Sequence, residues 1–488
     1  ISSFVGRSTE LAALSHSLAE HRLTSIVGEA GMGKSRLAIT AAAAAANSLA
    51  GGIWWVPLTG VADDAETVLS AVAHACVLER DGEDALDALV THFRVIADAL
   101  IVIDGHEHTP GSAAAALERL LASCPTVRVL TAGRSPLGIA GEAVHLLGPL
   151  TTPPETFAGG RQEVDEFDAA RLFIERAAAA GATARFDDAE ATTVAHICRV
   201  LDGVPLSLEL AAARAASTTL AQLVVSLGAI AAAPRADAAG ALASSIAWSY
   251  QLLSPAEQIV LCRLTVVHGD PELDAATFIA TSGSLDERAT VAAMRGLLEQ
   301  RMLTLDETTG RVVIAPAIRQ FATERRATTI DLAATVERHG DWFAGVAERF
   351  VGQAAVLPIS LLAPDEADVL AALTTSMHGT DPGVAYRVII GLGDHWVHMD
   401  RQDIVGEIGE WLSGRSPSDS EQQWAAAVAR MSLALAGRPS SPVHSLAEEA
   451  LAVAEIVHDD VSPGYLAQAA LARRGTGESV VHDIAERT

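Results

Sequence analysis

The chain has 488 residues and a formal net charge of −27, from 61 Asp and Glu against 34 Lys and Arg, and its 50% hydrophobic content owes much to alanine. That length calls for three or four domains. No run of about 18 strongly apolar residues is present to cross a bilayer, and so acidic a balance argues against a broad nucleic-acid surface, which needs Lys and Arg to neutralise phosphates.

In chain order, Leu23-Thr24-Ser25-Ile26-Val27 reads as a short buried strand, and the Ala-rich run from Arg36 to Leu49 reads as a helix. Between them stands Gly28-Glu29-Ala30-Gly31-Met32-Gly33-Lys34-Ser35, which matches G-x-x-x-x-G-K-[ST] in the strand, loop, helix context this motif requires. Lys34 is the single lysine among 34 basic residues. A phosphate loop needs a compact ammonium between β- and γ-phosphate oxygens, which the broad planar fork of arginine cannot replace. Gly28, Gly31 and Gly33 let backbone N–H groups turn onto phosphates, the helix start adds partial positive charge, and the Ser35 hydroxyl is placed to ligate Mg²⁺. With Met32 and Arg36, these residues form the expected nucleotide-binding set.

Four further strands are predicted at 53–58, 100–104, 127–131 and 143–147, with helices at 65–78, 85–97 and 112–123 between them. Continuous apolar strands with helical crossovers imply a parallel sheet, α/β in class, that binds ligands at the carboxyl ends of its strands. Asp104 closes the third strand, where a carboxylate reaches a metal held by Ser35. Arg134 follows the fourth strand and is placed to sense a γ-phosphate, although a lone Arg there also fits a surface position. Gly105, not Glu, follows Asp104, and Glu107 stands two residues further on, so turnover is expected to be slow.

Residues 151–161 read as a linker and 167–227 show helical periodicity. Residues 231–240 read as a second, weakly structured joint. Beyond it come helices at 248–253, 255–264 and 290–300, then two strand-like runs at 302–305 and 312–314, the order of a winged helix. This part holds 8 Arg against 10 Asp and Glu and lacks the basic footprint of a DNA-binding surface, so a regulatory role is preferred to DNA contact. From residue 331 the pattern is helical, near 331–355, 365–377, 383–397, 402–413, 420–436, 443–458 and 463–474, and is acidic, with 10 Arg against 23 Asp and Glu. Helix pairs beginning near 383, 420 and 463 read as a divergent TPR-like array whose concave face binds a partner or inducer, with a simple helical bundle as the alternative. Trp396, Trp411 and Trp424 read as core. The expected division is a P-loop domain at 1–155, a helical domain at 156–235, a winged helix at 236–330 and the TPR-like domain at 331–488. Cys76, Cys124, Cys198 and Cys262 stand far apart with no C-x-x-C, as expected of core residues in a reducing, cytoplasmic compartment. No signal peptide precedes Ile1, and the absence of an initiator Met leads us to expect a fragment or processed chain.

Phe4-Val5-Gly6-Arg7, the GEAGMGKS loop, LIVIDGHEH at 100–108, VRVLTAGRSPLGIAGEAV at 127–144 and LDGVPLSLELAAAR at 201–214 carry a resemblance. In this order they resemble STAND-class signal-transduction ATPases, the NB-ARC-like modules of bacterial antibiotic-regulatory and large LuxR-type transcriptional regulators. The resemblance implies that the segment with Val5 and Arg7 holds adenine, and that Pro205 closes over the nucleotide from the helical domain. It also marks two departures. Gly105 stands where relatives have Asn or Asp, and Ile314-Ala315-Pro316 stands where many place a His that reads the ADP β-phosphate.

Two function classes are expected to compete. One is an ATP/ADP switch with slow hydrolysis that controls a regulatory output through an inducer and nucleotide-dependent homo-oligomerisation. The other is a nucleotide-processing enzyme of NTP phosphatase type. Lys34, Asp104, Glu107 and Arg134 are the expected catalytic residues in both.

Overall fold

A computed structural model describes residues 3–414, except 59–60, 62, 77, 79–83, 97, 183–185, 232–237, 284, 307, 352–361 and 399–400, together with 427, 428 and 431. Residues 1–78 and 85–335 pack as one compact unit, and a second begins at residue 336.

Strands β1 (Leu23–Val27), β2 (Ile53–Pro57), β3 (Ala99–Asp104), β4 (Val127–Gly133) and β5 (Glu142–Leu146) form one parallel sheet in the order β2-β3-β4-β1-β5. Its pleat sorts side chains by turns. Leu100, Val102, Leu130 and Ala132 face a core shared with Leu14 and Leu18 of α1 (Ser8–Glu20) and Leu37 and Ala38 of α2 (Lys34–Ala45). Ile101, Ile103, Val127 and Val129 face the opposite core, built with α3 (Ala65–Ala75), α4 (Ala85–Val95) and α5 (Pro110–Ser123). Both faces are covered, which explains why β1 is buried throughout and β3 at all but its last residue. β4 lies between β1 and β3, with Gly133 beside Val27 and Ala132 beside Asp104. Three strand ends therefore stand together at the edge where such sheets bind ligands.

Four helices follow a short turn of helix, α6 (Arg161–Val164). These are α7 (Asp168–Ala179), α8 (Asp188–Val200), α9 (Pro205–Arg214) and α10 (Leu220–Ala231), closed on a core of their own around Phe173, Val194, Ile197 and Leu208. Next come α11 (Ala238–Gln251), α12 (Pro255–Leu264), α13 (Leu273–Ala280) and α14 (Glu287–Glu299), the antiparallel pair β6 (Thr304–Leu305) and β7 (Val312–Val313), and α15 (Pro316–Thr329). The apolar core around α1 and α2 runs on into this part through Leu242, Ile246, Val260, Leu297 and Ile318.

Three local expectations need correction. The joint read over 231–240 is partly helical, because Ala231 ends α10 and residues 238–240 open α11, ten residues before the expected helix start at Trp248. Alanine-rich sequence favours the helix and buried Leu242 and Ile246 pin it. α13 and α15 were not anticipated as helices. Ile314-Ala315-Pro316 leads into α15, with Ile314 in the core and Pro316 in the first helical turn, where its missing N–H costs nothing.

α16 (Leu332–Glu348) leads into the second unit, where further helices span Glu366–His378, Gly383–His398 and Gln402–Ser413. Trp396 is fully buried and the half-buried Trp411 donates from Nε1 to the Met377 carbonyl at 2.8 Å. His339 pairs with Asp368 at 2.8 Å inside this unit, and both are buried. The helices expected near 420–436, 443–458 and 463–474, and Trp424, lie outside the described residues. Among the described residues no helix is long and apolar enough to cross a membrane.

Candidate nucleotide site

The loop after β1 is shaped by backbone conformations that need glycine. Gly31 and Gly33 have φ of +77° and +84°, and a Cβ on Gly28 would lie 2.5 Å from the Leu147 carbonyl oxygen. Met32 anchors the loop in the core at 2% exposure. Gly33 then caps α2, so Lys34 and Ser35 open the helix with its positive dipole end facing the loop.

Lys34 Nζ donates to the Glu29 carbonyl at 3.0 Å. Burial pushes this ammonium below the usual lysine range, against the pull of Glu107 and Asp104, while nearby Arg134 pushes it the same way as burial. Ser35 Oγ donates to Asp104 Oδ1 at 3.0 Å. Burial raises the Asp104 carboxyl above the ordinary range and Glu107 adds to the rise, while Ser35 and Lys34 hold it down. Lys34, Ser35, Asp104, Glu107 and Arg134 therefore meet in one place at the ends of β1, β3 and β4.

Glu107 stands in a short 3₁₀ turn, His106–His108, entered through Gly105 at φ +79°. Its Oε1 lies 3.7 Å from Arg134 Nε, and its Oε2 is buried with no hydrogen-bond partner. Arg134 is 44% exposed and Glu107 19%, so the pair faces the open side of the site. The residues fit a Mg²⁺-nucleotide. Ser35 and Asp104 bring two hard oxygen donors together, and the buried Glu107 Oε2 beside them is a polar atom left unsatisfied by protein.

Other expected residues hold the loop from its far side. Arg7 has a left-handed backbone, φ 58°, is 3% exposed, and donates to the carbonyls of Met32 at 3.0 Å and Gly148 at 2.8 Å. Its backbone N–H is taken by Asp168 of α7, and Val5 packs against the core of α7–α10. Pro205 begins α9, and the next residue, Leu206, donates its N–H to the Gly31 carbonyl at 3.3 Å. Arg36, one position past Ser35, pairs at 2.9 Å with Glu209 of α9, and Glu209 also pairs at 3.0 Å with the buried Arg176 of α7.

Sequence reasoning did not single out His106, Glu142, Arg176 or Glu209. Glu209 lies within the LDGVPLSLELAAAR string and Glu142 within the string that carries Arg134, so proximity to a motif was the available signal. Glu209 meets Arg176 across 33 residues and Arg36 across 173, and Ser25 meets Glu142 across 117.

No family model matches the chain. An uncharacterized protein of Mycobacterium tuberculosis is 32% identical over 352 residues, which cover 70% of this chain and 85% of that protein. A candidate HTH-type transcriptional regulator of the same organism is 28% identical over 338 residues, 68% of this chain but only 36% of that longer protein. Among solved structures, the chain resembles a Signal Transduction ATPase with Numerous Domains (STAND) protein with a tetratricopeptide repeat sensor from Pyrococcus horikoshii. The TM-score is 0.52 at 14% identity, over 97% of this chain and 67% of that one. The chain belongs to the family of the uncharacterized M. tuberculosis protein, and its fold is that of a STAND-class P-loop ATPase.

Proposed function

We propose that the chain is an ATP/ADP-dependent switch of NB-ARC-like type that controls a regulatory, transcriptional output. The observation that carries this reading is the meeting of Lys34, Ser35, Asp104, Glu107 and Arg134 beside a helix, α9, fastened to the same loop. The charged groups and the helix proposed to cover the nucleotide thus meet on one loop. The name of the longer M. tuberculosis relative supports the transcriptional output.

In this reading the loop N–H groups and Lys34 bind the phosphates, Ser35 and Asp104 hold the metal, and Arg134 senses the γ-phosphate. Val5, Arg7 and Pro205 border the adenine, while Gly28, Gly31, Met32, Gly33 and Arg36 shape the cradle. Mg²⁺ supplies neutralisation of the charge shared by β- and γ-phosphate oxygens. Glu107 orients water from three residues past Asp104 and shares its carboxylate with Arg134, so hydrolysis is slow. The four-domain division at 155, 235 and 330, with a winged helix and a TPR-like array as sensor, a cytoplasmic site and nucleotide-dependent self-association complete the proposal.

A second reading, an NTP-processing enzyme, draws on the presence of Glu107 itself in the site. Turnover separates the two. A switch gives multiple-turnover hydrolysis far below the ordinary enzyme median of ~10 s⁻¹, limited by ADP release. Ordinary rates with free product release favour the enzyme.

A further inference from the structure

We propose that His106 is a positioning residue that locks the Arg134 loop to the turn after Asp104, and so sets how the site distinguishes ATP from ADP. The inference rests on the reading of Arg134 as the γ-phosphate sensor.

The lock begins with backbone. The β3–β4 ladder continues one step past Asp104, with the Gly105 N–H donating to the Ala132 carbonyl at 3.1 Å. Gly105 then takes φ +79°, a conformation most side chains resist, and the chain drops into the 3₁₀ turn. This turns the His106 ring beneath the end of β4, where it is 1% exposed. A Cβ on Gly133 would come within 2.2 Å of His106 Cε1, so glycine at 133 is what leaves space for the ring. From that seat Nε2 lies 2.9 Å from the Ser135 carbonyl oxygen. A carbonyl only accepts, so Nε2 carries the hydrogen and donates, and it does so in either protonation state of the ring.

Arg134 is thus held between two fixed neighbours, Gly133 against the ring and Ser135 bonded to it. The loop beyond is tied a second time. Glu142 accepts from the N–H groups of Leu137 at 2.9 Å and Gly138 at 2.7 Å, and Ser25 Oγ donates to the same carboxylate at 2.5 Å. Thr131 Oγ1 donates to Ser25 Oγ at 2.7 Å, which carries the tether back into β4 and β1. An exposed arginine side chain has many rotamers, and a loop fixed at both ends limits where its guanidinium can reach. Because Glu107 belongs to the same turn as His106, the lock also sets the spacing between Glu107 and Arg134. Gly105, a departure from the residues usual after the metal Asp, thereby acquires a role as the hinge that seats His106.

The test measures affinities of the 488-residue chain for Mg²⁺-bound ATPγS and for ADP by calorimetry. Variants are His106→Leu, His106→Gln, Arg134→Ala and the His106→Leu/Arg134→Ala double. His106→Leu removes the donor and is expected to lower the preference for ATPγS over ADP roughly fivefold, the scale of one net hydrogen bond, with ADP affinity unchanged. His106→Gln keeps an N–H at similar reach and retains the preference. The double variant matches Arg134→Ala alone, since the lock acts through Arg134. His106→Met is a second donor-free variant should the Leu variant fail to fold. Equal losses for both nucleotides, or additive losses in the double variant, would overturn the proposal. If Arg134→Ala leaves the preference intact, the sensor reading falls and the positioning role with it, whereas continued loss of binding in Lys34→Ala keeps the nucleotide site itself standing.

Discussion

The phosphate loop is held on its two sides by different chemistry. On the side of β3 and β4 the neighbours are titratable groups, Asp104, Glu107 and Arg134, and burial moves Asp104 and Lys34 away from their ordinary ranges toward their neutral forms. On the side of α9 the neighbours are backbone bonds, apolar contacts and the ion pair of Arg36 with Glu209. Gly31 accepts from Leu206, and a Cβ on Gly31 would press within 2.9 Å of Leu242. Arg7 also reaches the loop only through carbonyls. The first side costs stability and is arranged for charge, whereas the second stabilises and is arranged for grip. In the proposed switch, a nucleotide would change the charge on the first side, and the second side would set how readily the loop opens.

The largest expected break in this contrast comes from Lys34→Ala. Charge-assisted bonds contribute roughly 1.5–3 kcal/mol each, so affinity for both nucleotides should fall by at least about 100-fold while the thermal midpoint stays within a few degrees of wild type. Fluorescent nucleotide titration and a melting curve check the two halves together.

Asp104→Asn sharpens the contrast, because function and stability should move in opposite directions. Mg²⁺-ATP affinity is expected to drop about tenfold and ADP affinity by much less, since a metal held by Ser35 and Asp104 would offset the added charge of the γ-phosphate only when that group is present. Stability should hold or rise. A carboxyl raised in the folded state above its unfolded value makes folding less favourable as pH rises through that window, and a neutral amide removes this cost. In wild type, Mg²⁺-ATP binding should weaken on acidification at a higher pH than an ordinary aspartate would give, as protonation removes the ligand. Melting curves and binding isotherms between pH 4.5 and pH 8, roughly the range where carboxylates and histidines titrate, read both effects.

Glu209→Gln tests the gripping side. The pair with the half-exposed Arg36 contributes little by itself, but Arg176 is 4% exposed and would be left with a weaker partner. The expectation is a lower thermal midpoint and nucleotide release accelerated about threefold, a change of under 1 kcal/mol. ATP preference over ADP should stay unchanged. Stopped-flow release of a fluorescent ADP follows the rate, and a shift in preference would show that the two sides are not separable.

What was legible in the sequence is what is local. Strand, glycine turn, lysine and helix are consecutive residues, so Gly28 to Ser35 announced themselves, and Asp104 and Arg134 followed because apolar strands end where polar residues begin. The P-loop sheet was readable for the same reason. His106 was not, because its meaning lies in Ser135, 29 residues away, and in the missing side chain of Gly133. Glu209 was not, because it joins Arg36 across 173 residues. α13 and α15 escaped because their short or charge-rich apolar stripes become clear only once Ala276, Ile279, Ile318 and Ala322 are seen in the core. The start of α11 was missed because alanine and glycine in 238–241 show no periodicity until Leu242 and Ile246 find their neighbours.

The most direct measurement of the proposed switch is the nucleotide released when the purified 488-residue chain is denatured and its supernatant is resolved by ion-exchange chromatography. A switch that grips its product through α9 and hydrolyses slowly should release ADP, close to one per chain, and Lys34→Ala should release none. A wild-type chain that carries no nucleotide and gains no thermal stability from Mg²⁺ with ADP or ATP would contradict the account.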